Sequence, residues 1–127
     1  MDEIKFDKSF RDRTYKFSLS CIHFITELNF DRKFSPIINQ FIRSSTSIGA
    51  NVIEAKSSSS KREFINYFQI ALKSANETKY WLCLIRDGLK IDNDNLKNIL
   101  QEADELSKIL AQSVLTMKEN MKLVSSK

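Results

Sequence analysis

The residues of this chain that could carry out chemistry are one histidine, two cysteines and 16 aspartate or glutamate side chains. Di-iron centres in helical bundles need carboxylates together with repeated Glu-x-x-His pairs, and the sequence contains no such pair. His23 and Glu27 are four residues apart, but both flank the apolar seam of their helix rather than occupying it. A Gly-rich phosphate loop and a nucleophile with a histidine base are also missing. We therefore predict no metal, no cofactor and no enzymatic activity.

Glu77 is the carboxylate with the most unusual surroundings, because it falls in a helical stripe of apolar and aromatic residues that includes Trp81. A carboxylate desolvated in such a stripe needs an ionic or hydrogen-bonding partner, or takes up a proton. Arg43 is the first candidate partner. An ion pair between helices or subunits is favoured over a catalytic acid, and Asn51 and Glu54 are interpreted in the same way. Trp81 could stack on a base, but its place in the stripe favours an interface anchor.

Basic residues are concentrated in the third quarter of the chain, and they are the candidate nucleic-acid-binding residues. Residues 61–91 contain three acidic side chains and six basic ones, and the basic ones are Lys61, Arg62, Lys73, Lys79, Arg86 and Lys90. At a helical spacing, four of these fall along one edge, where they could contact phosphates without reading bases. The alternative is a solvated helix face that only aids solubility.

The sequence offers few residues that end helices or form turns, which bears on the elements that position these side chains. Two glycines and one proline in 127 residues favour long helices with few connections. We predict one all-α domain over residues 1–127, with helices at about 10–29, 36–57, 61–87 and 94–123. Short connections between consecutive helices imply antiparallel neighbours, hence an up-down-up-down four-helix bundle.

Five local signals place the helix boundaries. Ser9-Phe-Arg-Asp12 resembles a capping box, and Ser35-Pro36 reads as a cap followed by proline in the first turn. Ser60-Lys-Arg-Glu63 is a second capping box, which predicts that the serine run before it is a loop. Gly88 suits the end of the third helix, and Asp92-Asn-Asp-Asn95 supplies caps for the fourth.

The second helix has two different faces. Its inward stripe is predicted at positions three or four apart, namely Ile38, Phe41, Ser45, Ile48, Val52 and Ala55. The opposite face carries Arg43, Ser47, Ala50 and Glu54, with one charged residue at each end and two small residues between them. Small residues such as Gly49 offer little apolar area, so we expect another helix to approach this segment closely. The third helix carries two adjoining apolar stripes and should face two partners.

The amino terminus, Met1-Asp-Glu, lacks the basic start and apolar core of a signal peptide. The longest apolar runs, such as residues 81–85, are too short to span a bilayer. We therefore expect a cytoplasmic protein with no membrane partner. Cys21 and Cys83 would then stay reduced, and their apolar neighbours favour packing thiols over a disulfide.

Four segments together resemble a known bacterial family. They are Tyr15-Lys-Phe-Ser-Leu, Arg43-Ser-Ser-Thr-Ser-Ile-Gly-Ala-Asn-Val-Ile-Glu-Ala, Lys61-Arg-Glu-Phe and Ala71-Leu-Lys-Ser-Ala-Asn-Glu-Thr-Lys-Tyr-Trp-Leu. The family consists of four-helix-bundle proteins whose founding members are encoded by intervening sequences within 23S ribosomal RNA genes. The resemblance implies a ring-like homopentamer with no established enzymatic activity. A similar fold serves as the accessory variability determinant of diversity-generating retroelements, where a basic pentameric barrel binds nucleic acid and a reverse transcriptase.

These observations lead to two functional hypotheses from different classes. The first is a non-enzymatic, self-assembling bundle that binds RNA or DNA through basic residues repeated by the oligomer. Its assembly motif would comprise Arg43, Ser47, Gly49, Ala50, Asn51, Glu54, Glu77 and Trp81. The second is an oligomeric scaffold or adaptor that binds a protein partner. Binding that weakens steeply with salt would favour the first, because phosphate contacts release counterions.

Overall fold

The structure, a computed structural model, describes the backbone of residues 2–125 and the side chains of residues 8–123. Its helices are α1 (Asp2–Glu27), α2 (Ser35–Lys56), α3 (Lys61–Gly88) and α4 (Asp94–Ser125), and a short 3-10 helix (Arg32–Phe34) precedes α2. Consecutive helices pack on each other, and α1 also packs on α4, so the four helices close into a bundle. The predicted all-α four-helix bundle is confirmed.

Interhelical contacts establish the antiparallel arrangement of neighbouring helices. Along α2, Ser44 contacts Thr78 while Ser47, one turn later, contacts Ser74, one turn earlier in α3. Between α1 and α2, the rings of Phe24 and Phe41 meet edge to face, with centroids 6.2 Å apart. Later in α2, Gly49 lies against Thr14, earlier in α1. The connection of residues 57–60 is therefore a tight reversal at one end of the bundle.

The inward stripe predicted for α2 is confirmed, since all six of its residues are buried. Gly49 explains why small residues are needed beside it. A Cβ atom added there would lie 3.4 Å from both the carbonyl oxygen and the side-chain oxygen of Thr14. Any larger side chain would therefore press on the backbone of α1. The expected close approach of another helix occurs here, between α1 and α2.

The core is continuous along the bundle and is built mainly from large apolar residues. Phe24, Phe41, Phe68, Leu82 and Leu106 are among its largest fully buried side chains. The helix α3 packs on both α2 and α4, as its two adjoining stripes predicted. No helix in the described part of the chain has the length and apolar character that crossing a membrane requires.

Several predicted boundaries differ from the observed ones. The first helix does not begin at the Ser9 capping box but runs from Asp2, because neither glycine nor proline interrupts residues 2–9. It ends at Glu27, two residues before the predicted end. Ser35 is not the cap of α2 but lies in its first turn. The preceding 3-10 helix is capped instead, by Asp31, whose carboxylate accepts a hydrogen bond of 3.0 Å from the Lys33 amide.

The caps predicted for α3 and α4 form. The Ser60 hydroxyl accepts a hydrogen bond of 3.1 Å from the Glu63 amide, and Asn93 accepts one of 2.8 Å from the Leu96 amide. Gly88 ends α3 as predicted, but with ordinary helical backbone. The left-handed residue of this turn is Lys90, with φ 55°. The chain therefore changes direction at Lys90, two residues after Gly88.

Candidate nucleic-acid interface

Lys79 and Arg86, two of the six predicted basic residues, are each held by a carboxylate. The Lys79 ammonium crosses from α3 to α4, where it lies 3.2 Å from Asp104 and donates a hydrogen bond of 2.9 Å to Ser107. Lys108 also contacts Asp104, at 3.0 Å, and with Lys79 it lowers the pKa of that carboxyl. Arg86 makes two hydrogen bonds to Asp87, of 2.8 and 3.2 Å, and lowers the pKa of Asp87.

The remaining four predicted basic residues lie at different places along α3. Lys73 is exposed in the middle of the helix, and Lys90 is exposed in the turn after it. Lys61 and Arg62 occupy the first turn of α3, beside the connection from α2. The six predicted residues therefore do not form one cluster. Lys61 and Arg62 line grooves together with basic residues of other helices, whereas Lys79 shares Asp104 with Lys108 of α4.

A cluster of basic residues, here called the basic end, surrounds the connection between α2 and α3. Two grooves flank the start of α3, and both are lined by Ser60. One groove is also lined by Lys56, Lys61 and Lys108, and the other by Arg62 and Lys118. The basic end therefore comprises Lys56, Lys61, Arg62, Lys108 and Lys118.

The electrostatics of the basic end favour an anion. Among the described residues that line its two grooves, Glu63 is the one carboxylate. It contacts the connection itself, at 3.4 Å from the Ser59 amide and 3.2 Å from the Ser59 hydroxyl. The amino terminus of α3 adds the partial positive charge of its backbone dipoles.

Sequence reasoning missed Lys56, Lys108 and Lys118 because they belong to α2 and α4, whereas the prediction considered a single helix. A usable signal was present in the predicted topology. In an antiparallel bundle, the end of the second helix, the start of the third and the second half of the fourth lie at the same end. Counting charges by bundle end, rather than by segment, would have identified all five residues.

The hypothesis that Arg43 is the partner of Glu77 agrees with their positions in α2 and α3. An Arg43 Nη atom lies 3.4 Å from a Glu77 oxygen, and the Trp81 indole N–H donates to the same oxygen at 3.3 Å. Gln40 accepts two further hydrogen bonds from Arg43, at 3.2 and 3.0 Å. The Glu77 side chain is 35% exposed and that of Arg43 70% exposed. Both charges therefore remain accessible to water in the single chain.

The other residues of the predicted assembly motif point in three directions. Ser47 accepts hydrogen bonds from the Asn51 amide nitrogen at 3.0 Å and from the Ser74 hydroxyl of α3 at 3.1 Å. Gly49 faces α1. Ala50 and Glu54 are exposed to solvent. Ser47 and Gly49 of α2 thus contact α3 and α1 within the chain, and Ala50 and Glu54 lie outside both contacts.

Comparison with known proteins bears on the family and the fold of the chain. Residues 8–112 match the family described as 23S rRNA-intervening sequence protein. The chain belongs to this family. A solved structure from Bacteroides thetaiotaomicron VPI-5482, described as a protein with unknown function from the S23 ribosomal protein family, is similar in sequence and fold. The two chains are 34% identical, the match covers 85% of this chain and 96% of that chain, and the TM-score is 0.77. No curated protein matches the chain.

This member of the 23S rRNA-intervening sequence protein family also exposes apolar side chains that sequence reasoning missed. Tyr15, Leu19 and Ile22, here called the outer α1 stripe, are 59%, 36% and 42% exposed. Their spacing of four and three places them together on the helix face opposite the buried Phe17 and Cys21. A stripe of this kind is typical of a helix face that contacts another protein chain.

Within the described part of this family member, no group of three or more His, Cys, Asp or Glu side chains is placed to hold a metal ion. His23 is exposed. Cys21 is buried and Cys83 is half-buried, and both thiols are free. Burial raises the pKa of the Cys21 thiol to about 12. This thiol is therefore protonated, and a poor nucleophile, at neutral pH.

Proposed function

We propose that this protein is a non-enzymatic, self-associating four-helix bundle that binds RNA or DNA through its basic end. The observation that carries the proposal is that five basic side chains from three helices line the two grooves beside the connection between α2 and α3. A charge cluster drawn from several helices presents a broad field, which suits a phosphate backbone better than one helical row of charges does.

We infer that the basic end contacts phosphates and does not recognise particular bases. Lysine supplies most of the cluster, and lysine acts on phosphates as a point charge rather than as a planar fork. Lys79 and Arg86 contact carboxylates, and so does Lys108 of the basic end, so a phosphate would compete with those contacts. The basic end adds four further basic side chains beside Lys108. The basic end is therefore the first surface to test, and Lys73 and Lys90 provide a comparison.

Self-association would repeat the basic end around an oligomer, and the family resemblance implies a ring-like homopentamer. The outer α1 stripe supports an interface, because three large apolar side chains on one helix face gain free energy when a second chain covers them. Replacing Leu19 by Glu should lower the oligomeric mass measured by light scattering without unfolding the chain. An unchanged mass would exclude the stripe from the interface.

The test of nucleic-acid binding measures affinity for structured RNA, single-stranded RNA and duplex DNA across a salt series. Neutralising about five phosphates per chain predicts a slope of log K against log salt of roughly −4.5 for a duplex and roughly −3.5 for a single strand. A triple variant, Lys56→Gln, Arg62→Gln and Lys118→Gln, should reduce the duplex slope by about 2.7.

The matched control removes the same charge from exposed lysines outside the basic end, with Lys73→Gln, Lys90→Gln and Lys97→Gln. We expect this variant to keep most of the affinity and the slope. Equal losses in the two triple variants would show a nonspecific effect of net charge, and would contradict a dedicated basic end. A loss confined to the control variant would move the interface to the surface around Lys73, Lys90 and Lys97.

A scaffold or adaptor for a protein partner is the second candidate, and the outer α1 stripe favours it in the case that a different protein, rather than a second copy of this chain, covers the stripe. An interface based on Tyr15, Leu19 and Ile22 would depend little on salt, because apolar burial involves no counterion release. An intact oligomer that binds no nucleic acid even at low salt would make this the leading hypothesis.

A further inference from the structure

An open groove with an apolar floor lies at the basic end, between the connection from α2 to α3 and the second half of α4. Its volume is about 900 Å³, and its floor includes Phe64, Phe68, Ile109 and Met117. The rings of Phe64 and Phe68 stack with their centroids 4.8 Å apart. This volume lies within the range of about 300 to 1,000 Å³ that small-molecule sites occupy.

The rim of the groove is basic. Lys56, Lys61 and Lys108 line it, and no carboxylate is found among the described residues of the lining. Lys108 contacts Asp104 outside the groove, and Lys79 contacts that same carboxylate. The single negative charge of Asp104 is thus shared by two ammonium groups, so this ion pair does not neutralise the rim.

Three of the polar side chains that α4 contributes to the groove are engaged with one another or with the helix backbone. The Ser113 hydroxyl donates a hydrogen bond of 2.8 Å to the Ile109 carbonyl oxygen. The Gln112 side-chain nitrogen donates one of 3.1 Å to the Thr116 hydroxyl. The apolar floor and the basic rim are the main features for recognition in this groove, and together they suit an aliphatic body with an anionic head.

We propose that this groove binds a small amphipathic anion. An aliphatic body would lie against Phe64, Ile109 and Met117, and a carboxylate or phosphate head would lie among the rim lysines. A neutral compound of the same length would gain the apolar contacts without the attraction of the lysines, and a cationic one would be repelled. The groove shares Lys56, Lys61 and Lys108 with the basic end, but the proposal does not depend on nucleic-acid binding, and its test uses no nucleic acid.

Four probes with the same twelve-carbon chain separate the contributions of the body and the head. Dodecanoate and dodecyl phosphate should bind one per chain in isothermal titration below their micelle concentrations. Dodecanol should bind more weakly, and dodecyltrimethylammonium should bind least. Comparing the two anions identifies the preferred head group. Shortening dodecanoate to decanoate removes two methylenes and should weaken the Kd by roughly tenfold.

Two tryptophan variants test the location. Thr116 lines the groove and is exposed, so Thr116→Trp should fill the space without disturbing the core and should weaken dodecanoate binding at least tenfold. Leu115 is its exposed neighbour outside the lining, and Leu115→Trp should leave the Kd unchanged. The double variant Lys56→Gln and Lys108→Gln should remove the preference for dodecanoate over dodecanol. Circular dichroism would verify that each variant is folded.

Three outcomes would overturn the proposal. They are dodecanoate binding that survives Thr116→Trp, equal affinity for dodecanoate and dodecyltrimethylammonium, and adenosine monophosphate binding more tightly than dodecyl phosphate. Loss of RNA binding in the basic-end variant bears only on the proposed function, because none of these titrations contains nucleic acid.

Discussion

Replacing Glu102 by Gln should destabilise the bundle by about 1 kcal/mol, and replacing Glu77 by Gln should cost less than half as much. Both glutamates contact an arginine of another helix, but with different geometry. Arg13 of α1 makes two short hydrogen bonds to Glu102 of α4, of 2.8 and 2.7 Å, which raise the pKa of Arg13. Arg43 of α2 makes one contact of 3.4 Å to Glu77 of α3.

The magnitudes follow from this geometry and from exposure. A hydrogen bond to a charged group contributes roughly 1.5 to 3 kcal/mol when it is protected from water. The Arg13 and Glu102 side chains are 37% and 30% exposed, so solvent screening reduces that contribution towards the roughly 0.2 to 1 kcal/mol of surface pairs. We therefore take about 1 kcal/mol for this two-bonded pair and about 0.3 kcal/mol for the more exposed Arg43/Glu77 pair.

Two matched double-mutant cycles measured by urea unfolding would provide the test. One combines Arg13→Met with Glu102→Gln, and the other combines Arg43→Met with Glu77→Gln, so the substitution types are the same. The coupling of the first pair should fall between about 50 mM and about 1 M NaCl, as screening increases. A coupling energy for Arg43/Glu77 equal to or above that for Arg13/Glu102 would refute the reasoning. A coupling energy for Arg43/Glu77 that grows with protein concentration would place the pair between subunits.

Three further predictions concern single residues. Gly88→Ala should raise the free energy of unfolding by about 0.5 to 1 kcal/mol in urea titrations, because the residue is helical and nothing lies within 4 Å of an added Cβ; a loss would contradict this. Gly49→Leu should lower it by about 1 to 3 kcal/mol through contact with Thr14, with Gly49→Ala as the milder control; a tolerated leucine would contradict the close approach. Because burial raises the folded-state pKa of Cys21, the free energy of unfolding should fall as the pH rises from about 9 to about 12, by about 1.4 kcal/mol per pH unit from this group. Chemical unfolding of Cys21→Ala should lack that contribution. Equal pH dependence of unfolding in the two proteins would refute this prediction.

The helical periods of this chain predicted its fold well because burial selects residues by spacing. All six residues of the α2 stripe are buried, and the α3 stripes meet two partner helices. The errors fall at helix ends, where several residues can serve as a cap. Asp31 caps the 3-10 helix before α2, although Ser35 carried the stronger sequence signal. The local choice depends on how the chain enters the helix, which a capping motif alone does not specify.

The candidate site was predicted only in part, because charge counted along a sequence ignores the partners that packing supplies. Lys79 and Arg86 looked equivalent to Arg62 in the sequence. In the structure, packing brings Asp104 of α4 to Lys79, whereas the partner of Arg86 is Asp87, its neighbour in the sequence. Lys56 and Lys118 are far from α3 along the chain, yet they line the grooves beside its first turn.

The sequence by itself determined that the chain is helical, where its helices approximately lie, which faces are buried and to which family it belongs. These properties depend on residue type and on spacings of three and four, which the helix repeat converts directly into faces. Only the tertiary structure decided which charges meet at one end of the bundle, which carboxylate contacts which cation, and where an apolar groove stays open beside basic residues. Those properties depend on distances between residues far apart in the chain, and packing of the whole bundle sets these distances.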